Sequence, residues 1–192
     1  MTKGRLEAFS DGVIAIIITI MVLDLKIPSG KDLAALNSIS MVFICYVLSY
    51  LFIGIYWSNH HHLLHAARDI NGKILWANLH LLFWLSLIPF VTNWMGKNFL
   101  APWPVAVYGS VLLMSAIAYF ILSKALIRHN GKDSLLGLSV GKDIKGIVSI
   151  IVYMSAIPFS FIISAVAFAL YVIVAIIWII PDKRIEKNIK PA

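Results

Sequence analysis

Nearly all the charge in this chain sits at the ends of five long apolar runs, at residues 9–27, 33–58, 74–95, 102–127 and 144–180. That placement restricts the fold more than any other feature. About 20 apolar helical residues, rising 1.5 Å each, cross the roughly 30 Å hydrocarbon core of a bilayer. The chain is 60% hydrophobic and 13% charged, which is about half the charge fraction of an ordinary soluble domain. The bilayer is therefore the expected solvent, and the expected fold class is an all-α integral membrane protein.

The first run is expected to form a helix of about 28 Å that stops at Pro28-Ser29-Gly30. Lys3 and Arg5 ahead of it imitate a secretory leader. Asp11 interrupts the run, however, and no small-x-small cleavage site precedes Pro28, so the segment is read as a mature helix. The last run, 144–180, is too long for one crossing. A turn at Pro158-Phe159-Ser160 to Ser164 divides it into two short spans, preferred over one long tilted helix, giving six transmembrane helices in all. With six spans, 13 of the 16 Lys and Arg residues fall on one side and only Lys26, Lys31 and Lys97 on the other. By the positive-inside rule both termini are expected to be cytoplasmic. Trp57, Trp76, Trp94, Trp103 and Trp178 sit at span ends, where indole favours the interface. The loops are short, so residues 1–192 form a single domain without an extramembrane unit. The +7 net charge is explained by topology, and no nucleic-acid partner is expected. A single Cys45 excludes a disulfide framework.

Little chemistry is on offer. His60-His61-His62 and His65 lie close together, with His61 and His65 one helical turn apart, so metal binding has to be weighed. Membrane di-iron oxygenases need about eight ligands in several clusters, and this chain has six histidines altogether. Interfacial, solvated histidines are the expectation, with no structural metal and no cofactor. No phosphate loop, nucleophile elbow or useful acid pair occurs, so an enzyme is not expected. The spans hold no arginine ladder and no Thr-Val-Gly-Tyr-Gly filter, which sets aside the ordinary potassium channel fold. A transport protein remains.

The richest polar stretch is Arg5-x-x-x-Phe9-Ser10-Asp11 at the head of the first run. One reading is helix capping, with Ser10 accepting a backbone amide bond and Asp11 facing the positive end of the dipole. The other is a structural network, in which Asp11 pairs with Arg5 or with His60 and Trp57, and Asn78 completes the cluster. The same motif resembles the signature of the endolysosomal potassium channel (transmembrane protein 175) family. Tyr56-Trp57-x-x-His60-His61, Leu75-Trp76-x-Asn78, Leu87-Ile88-Pro89-Phe90-x-Thr92 and Trp178-x-x-Pro181-Asp182-x-Arg184 also fit. The likeness to its six-span bacterial members covers the whole chain.

That resemblance implies a homotetramer in which four copies of the first helix line a cation pore. Bulky apolar side chains would constrict it, with potassium modestly favoured over sodium. The family's constriction maps onto Ile16, Ile20 and Leu23, with the Thr19 hydroxyl on an adjoining face, and Ile16 is expected to be the tightest ring. Their spacing suits this, because positions i, i+4 and i+7 form one stripe, though such a stripe more often faces lipid or a neighbouring helix. Asp24 near the outer end of this helix either concentrates cations or is cancelled by Lys26, and both readings stand. The expected partners are further copies of the chain, the bilayer, and potassium and other monovalent cations. The rival reading is a secondary transporter of a small solute or ion, which would need interrupted helices and midplane polarity.

Overall fold

The computed structural model describes residues 2–131, 134, 136–137 and 143–179, and these contain helices and no strand. The helices are α1 (Lys3–Leu23), α2 (Ser40–Ala66), α3 (Gly72–Ser86), α4 (Ile88–Lys97), α5 (Pro102–Asn130), α6 (Ile144–Phe159) and α7 (Ser164–Ile179). A 3-10 stretch, Leu33–Ile39, leads into α2.

Local chemistry sets the helix ends. The side chains of Asp32, Asn71 and Asp143 accept the amides of Ala35, Ile74 and Gly146, at 3.1, 3.0 and 2.8 Å, each satisfying a donor of a first turn. Pro102 starts α5, where a missing N–H costs nothing. Gly131, at φ 96°, ends it in a conformation that other residues resist. Between α3 and α4 only Leu87 falls outside a helix. Pro89 cannot donate to the preceding turn, and Leu87 N–H takes the nearer carbonyl of Trp84 at 3.2 Å.

Four segments are long and apolar enough to cross a membrane: Lys3–Leu23, Leu33–Ala66, Gly72–Lys97 and Pro102–Asn130. α6 and α7 have 16 residues each, or about 24 Å of helix. They are two separate short apolar helices where a pair of short spans is expected, and one long tilted helix does not occur. Ser160 and Ser164 hydroxyls donate to the carbonyls of Ala156 and Ser160 at 3.1 and 2.7 Å, which satisfies the turn within an apolar setting.

The run boundaries shift in one consistent direction at the charged end. α1 begins at Lys3, six residues before the expected start, and α2 continues through the histidines to Ala66. Polar residues at a membrane surface do not stop a helix; proline, glycine or a cap does, and none of these intervenes between Ser58 and Ala66. At the other end α1 stops at Leu23, with Asp24 capping it, so the last residues of the expected span are not helical. Six of the cations behind the charge bias, namely Lys132, Lys142, Lys183, Arg184, Lys187 and Lys190, lie outside the described residues. So does the Pro181-Asp182-x-Arg184 part of the last motif.

The core lies among α2 to α7, around Phe52, Tyr108, Tyr153 and Tyr171. α2 and α4 approach closely at Gly96, where an added Cβ would come within 2.7 Å of the Val42 Cα. α1 stands at the edge, packed against α2, α3 and α4 on one side.

Candidate pore helix and its polar anchor

α1 divides sharply by face. Leu6, Ser10, Ile14, Ile17 and Met21 recur every three or four residues and are buried against the bundle. Away from them Ile16 is 58% exposed, Ile20 45% and Leu23 81%, with Phe9 on the same side. Thr19 is exposed too, and its hydroxyl donates to the Ile16 carbonyl at 2.8 Å. The other helices of the bundle thus leave the expected constriction residues uncovered, along one stripe and its adjoining face.

Behind that stripe a polar network fastens the helix. Asn78 Oδ1 lies 2.7 Å from His60 Nε2, and its amide group donates to Ser10 Oγ at 2.9 Å. Ser10 in turn donates to the Leu6 carbonyl at 2.8 Å. With an amide oxygen opposite it, His60 Nε2 carries the proton. All three side chains are buried. Nearer the surface Trp57 Nε1 donates to Asp11 Oδ1 at 3.0 Å. Lys3 Nζ donates to the carbonyls of His65 and Ala67 at 3.1 and 2.9 Å, closing the end of α2, and sits 4.0 Å from Glu7. α1 is thereby tied to α2 in two places and, through Ser10, to α3.

These contacts decide between the two readings of the motif. Capping is overturned: Ser10 and Asp11 lie inside α1, several residues past its start, and Ser10 accepts from the Asn78 side chain and not from a backbone amide. The network is found, with a specific pairing. Asp11 goes to Trp57, whereas His60 goes to Asn78. The alternative Asp11–Arg5 pair does not form, and Arg5 is exposed without a side-chain partner among the described residues. Phe9 belongs to the exposed face of the helix and has no part in the network.

His61, His62 and His65 are exposed, as expected of interfacial histidines, and His60 is the buried member of the run. Trp57, His61 and His65 stack one turn apart with centroids 6.1 and 6.0 Å apart. Among the described residues no three His, Cys, Asp or Glu side chains converge as a metal ion would require.

Two polar features escape a reading of the sequence. Ser49 of α2 meets the Thr92 hydroxyl of α4 at 2.6 Å and the Tyr108 hydroxyl of α5 at 2.9 Å, joining three helices inside the bundle. Thr92 stands in one of the quoted motifs, but nothing local reveals its partners. Asn93 carries a buried Oδ1 without a hydrogen-bond partner. It borders a cleft of about 830 Å³ between α1 and α4, walled by Ile16, Ile20, Phe90 and Trp94, with Asp24 and Lys97 also on its lining. The whole arrangement offers a rigidly held helix that presents an apolar stripe and an open cleft beside it. Several copies around an axis would turn the stripe into stacked apolar rings.

Comparison with known proteins identifies the setting. The family described as "Endosomal/lysosomal potassium channel TMEM175" matches residues 5–89, which contain Ser10, Asp11, Trp57, His60 and Asn78 of the anchor. A potassium channel of Chryseobacterium sp. (strain P1-3) is 55% identical over 190 residues, covering 99% of this chain and 99% of its own. The endosomal/lysosomal proton channel TMEM175 of Homo sapiens is 35% identical over 96 residues, which is 43% of this chain and 19% of that one. The crystal structure of a lysosomal potassium-selective channel TMEM175 homolog from Chamaesiphon minutus matches with a TM-score of 0.79 and 25% identity, covering 98% of both chains.

Proposed function

The chain belongs to the TMEM175 family and is a multi-pass membrane protein, and from that premise we propose that it is a potassium channel of the cell inner membrane. The observation that carries the pore assignment is the exposed stripe of Ile16, Ile20 and Leu23 on a helix otherwise anchored by buried polar contacts. A helix facing only lipid needs no such anchorage, whereas a pore wall must hold its side chains in register.

One copy cannot enclose a path with a stripe that faces outward. Closed rotational symmetry supplies the enclosure, and a homotetramer with four α1 helices around the axis is the reading adopted here. Ile16, Ile20 and Leu23 then form successive constrictions that gate by dewetting, with Ile16 the narrowest and the Thr19 hydroxyl at their edge. Potassium is the permeant ion, modestly preferred over sodium, because apolar rings provide no fixed oxygen cage. No cofactor takes part. The charge bias of the loops supports cytoplasmic termini on both ends.

The reading is tested by flux from proteoliposomes loaded with potassium, repeated with sodium. Passive potassium efflux faster than sodium efflux, without a second gradient, is the expected result. Movement only when another ion gradient is imposed would contradict it and identify a coupled transporter.

A further inference from the structure

Two exposed seams on this subunit, one small and one bulky, are built to fit each other across copies. On α1, Ala8, Gly12, Ala15 and Thr19 recur at alternating spacings of four and three residues and are all exposed. An added Cβ on Gly12 would meet nothing within 4 Å. On α3 and α4, Trp76, Phe83 and Phe90 recur every seven residues, and all three are exposed. Alternation by three and four, and recurrence by seven, are the signature of helices that pack along a seam with a partner helix. Small residues let a second helix approach closely inside a membrane.

The two seams also share a register. Ser10 bonds to Asn78, 68 residues on, and at the other end Asp24 lines the same cleft as Asn93 and Lys97. α1 and the α3–α4 span therefore run parallel. Rotation about an axis normal to the membrane keeps every residue at its depth. A neighbouring copy's α1 consequently meets this subunit's α3–α4 at the same offset, setting Ala8 at the level of Trp76 and Ala15 at the level of Phe83. Small faces large at both levels. Charge agrees at the outer end: Asp24 and Lys97 are exposed and have no side-chain partner among the described residues. The same offset sets the partner subunit's Asp24 at the level of Thr92, about 7.5 Å of helix from Lys97.

We infer that the α1 helix of the next copy docks on the exposed α3–α4 face beside the α1–α4 cleft, its Ala8–Gly12–Ala15 seam receiving Trp76 and Phe83. Such a contact joins different surfaces on the two partners, so it continues around a ring and closes. The seam lies beside the constriction stripe on α1, with Thr19 where the two meet, so contact between copies holds the pore-facing side chains at a fixed rotation. The inference rests on the tetrameric pore reading and adds the residues that join the copies.

A cysteine pair tests it. In a Cys45→Ala background, Ala15→Cys with Phe83→Cys is treated with a short bis-maleimide, beside each single cysteine, while native mass is recorded. Ala15 faces away from α3 within its own subunit, so a link between these positions joins copies. The expected result is a ladder on denaturing gels that ends at four chains for the pair and is lost for the singles. A four-chain particle without the ladder would overturn the seam and leave the pore reading standing. A single-chain particle would remove both. Ala15→Phe supplies a second measurement, since it adds bulk to an exposed position: loss of the four-chain particle is expected, and an unchanged particle would refute the seam.

Discussion

At the scale of single residues the protein is decided by a few buried polar groups. Asn78 satisfies two partners at once, so Asn78→Leu leaves His60 and Ser10 each short of a bond inside the bundle. Each orphaned buried group costs about 1–3 kcal/mol. A clear fall in the thermal midpoint of the detergent-solubilised protein is expected, with the potassium-to-sodium preference of the surviving channels retained. An unchanged midpoint with altered ion preference would instead make Asn78 part of the conduction path. Trp57→Phe keeps the ring and removes the donor to Asp11. That bond ends on a charged acceptor at the surface, and a loss of about 1 kcal/mol is expected by the same measurement. Thr92→Val keeps shape and severs the link from α4 to Ser49. It leaves Ser49 its Tyr108 bond, so a cost near the lower end of about 1–3 kcal/mol is expected.

At the scale of elements, packing sets the outcome, and the contrast between two glycines shows it. Gly96 lies against the α2 backbone, and Gly54 has open space around it. Gly96→Ala forces α4 away from Val42, and overpacking of this kind costs about 1–3 kcal/mol. Gly54→Ala gains helix propensity and is expected to be neutral or stabilising by up to about 1 kcal/mol. Thermal unfolding of the two variants side by side checks the difference, and equal midpoints would mean that α2 and α4 do not meet as described. The elements themselves were largely legible in the sequence. The apolar runs and the turn before Ser164 are local signals that mark real boundary regions, whereas α1 stops at Leu23, five residues short of the expected stop at Pro28. What local signals cannot carry is partnership. His60 and His61 are neighbours of the same type, and only the packing of α3 shows that one is buried against Asn78 and the other exposed. Asp11 had three plausible partners by composition, and tertiary placement selected Trp57. The early start of α1 was missed because a charged residue looks like the edge of a membrane span without being the end of a helix.

At the scale of the whole molecule, the proposed symmetric assembly would do what the single chain cannot. The apolar stripe of α1 points away from the chain's own core. A particle of four 21.4 kDa chains is expected by native mass measurement in detergent, and a stable single-chain particle that still conducts would require a path through one subunit. Topology follows from charge: reporter fusions at either terminus are expected to register on the cytoplasmic side. The most direct test of the central claim is the unitary current of Ile16→Asn in a planar bilayer, set against the parent protein and against Ile151→Asn, which alters an exposed residue of α6. In the proposed pore, a polar ring at the narrowest point would admit water. The expected result is a several-fold rise in potassium conductance with a lower potassium-to-sodium preference for Ile16→Asn, and parental currents for Ile151→Asn. Parental conductance and preference in Ile16→Asn would contradict the assignment of this stripe to the pore.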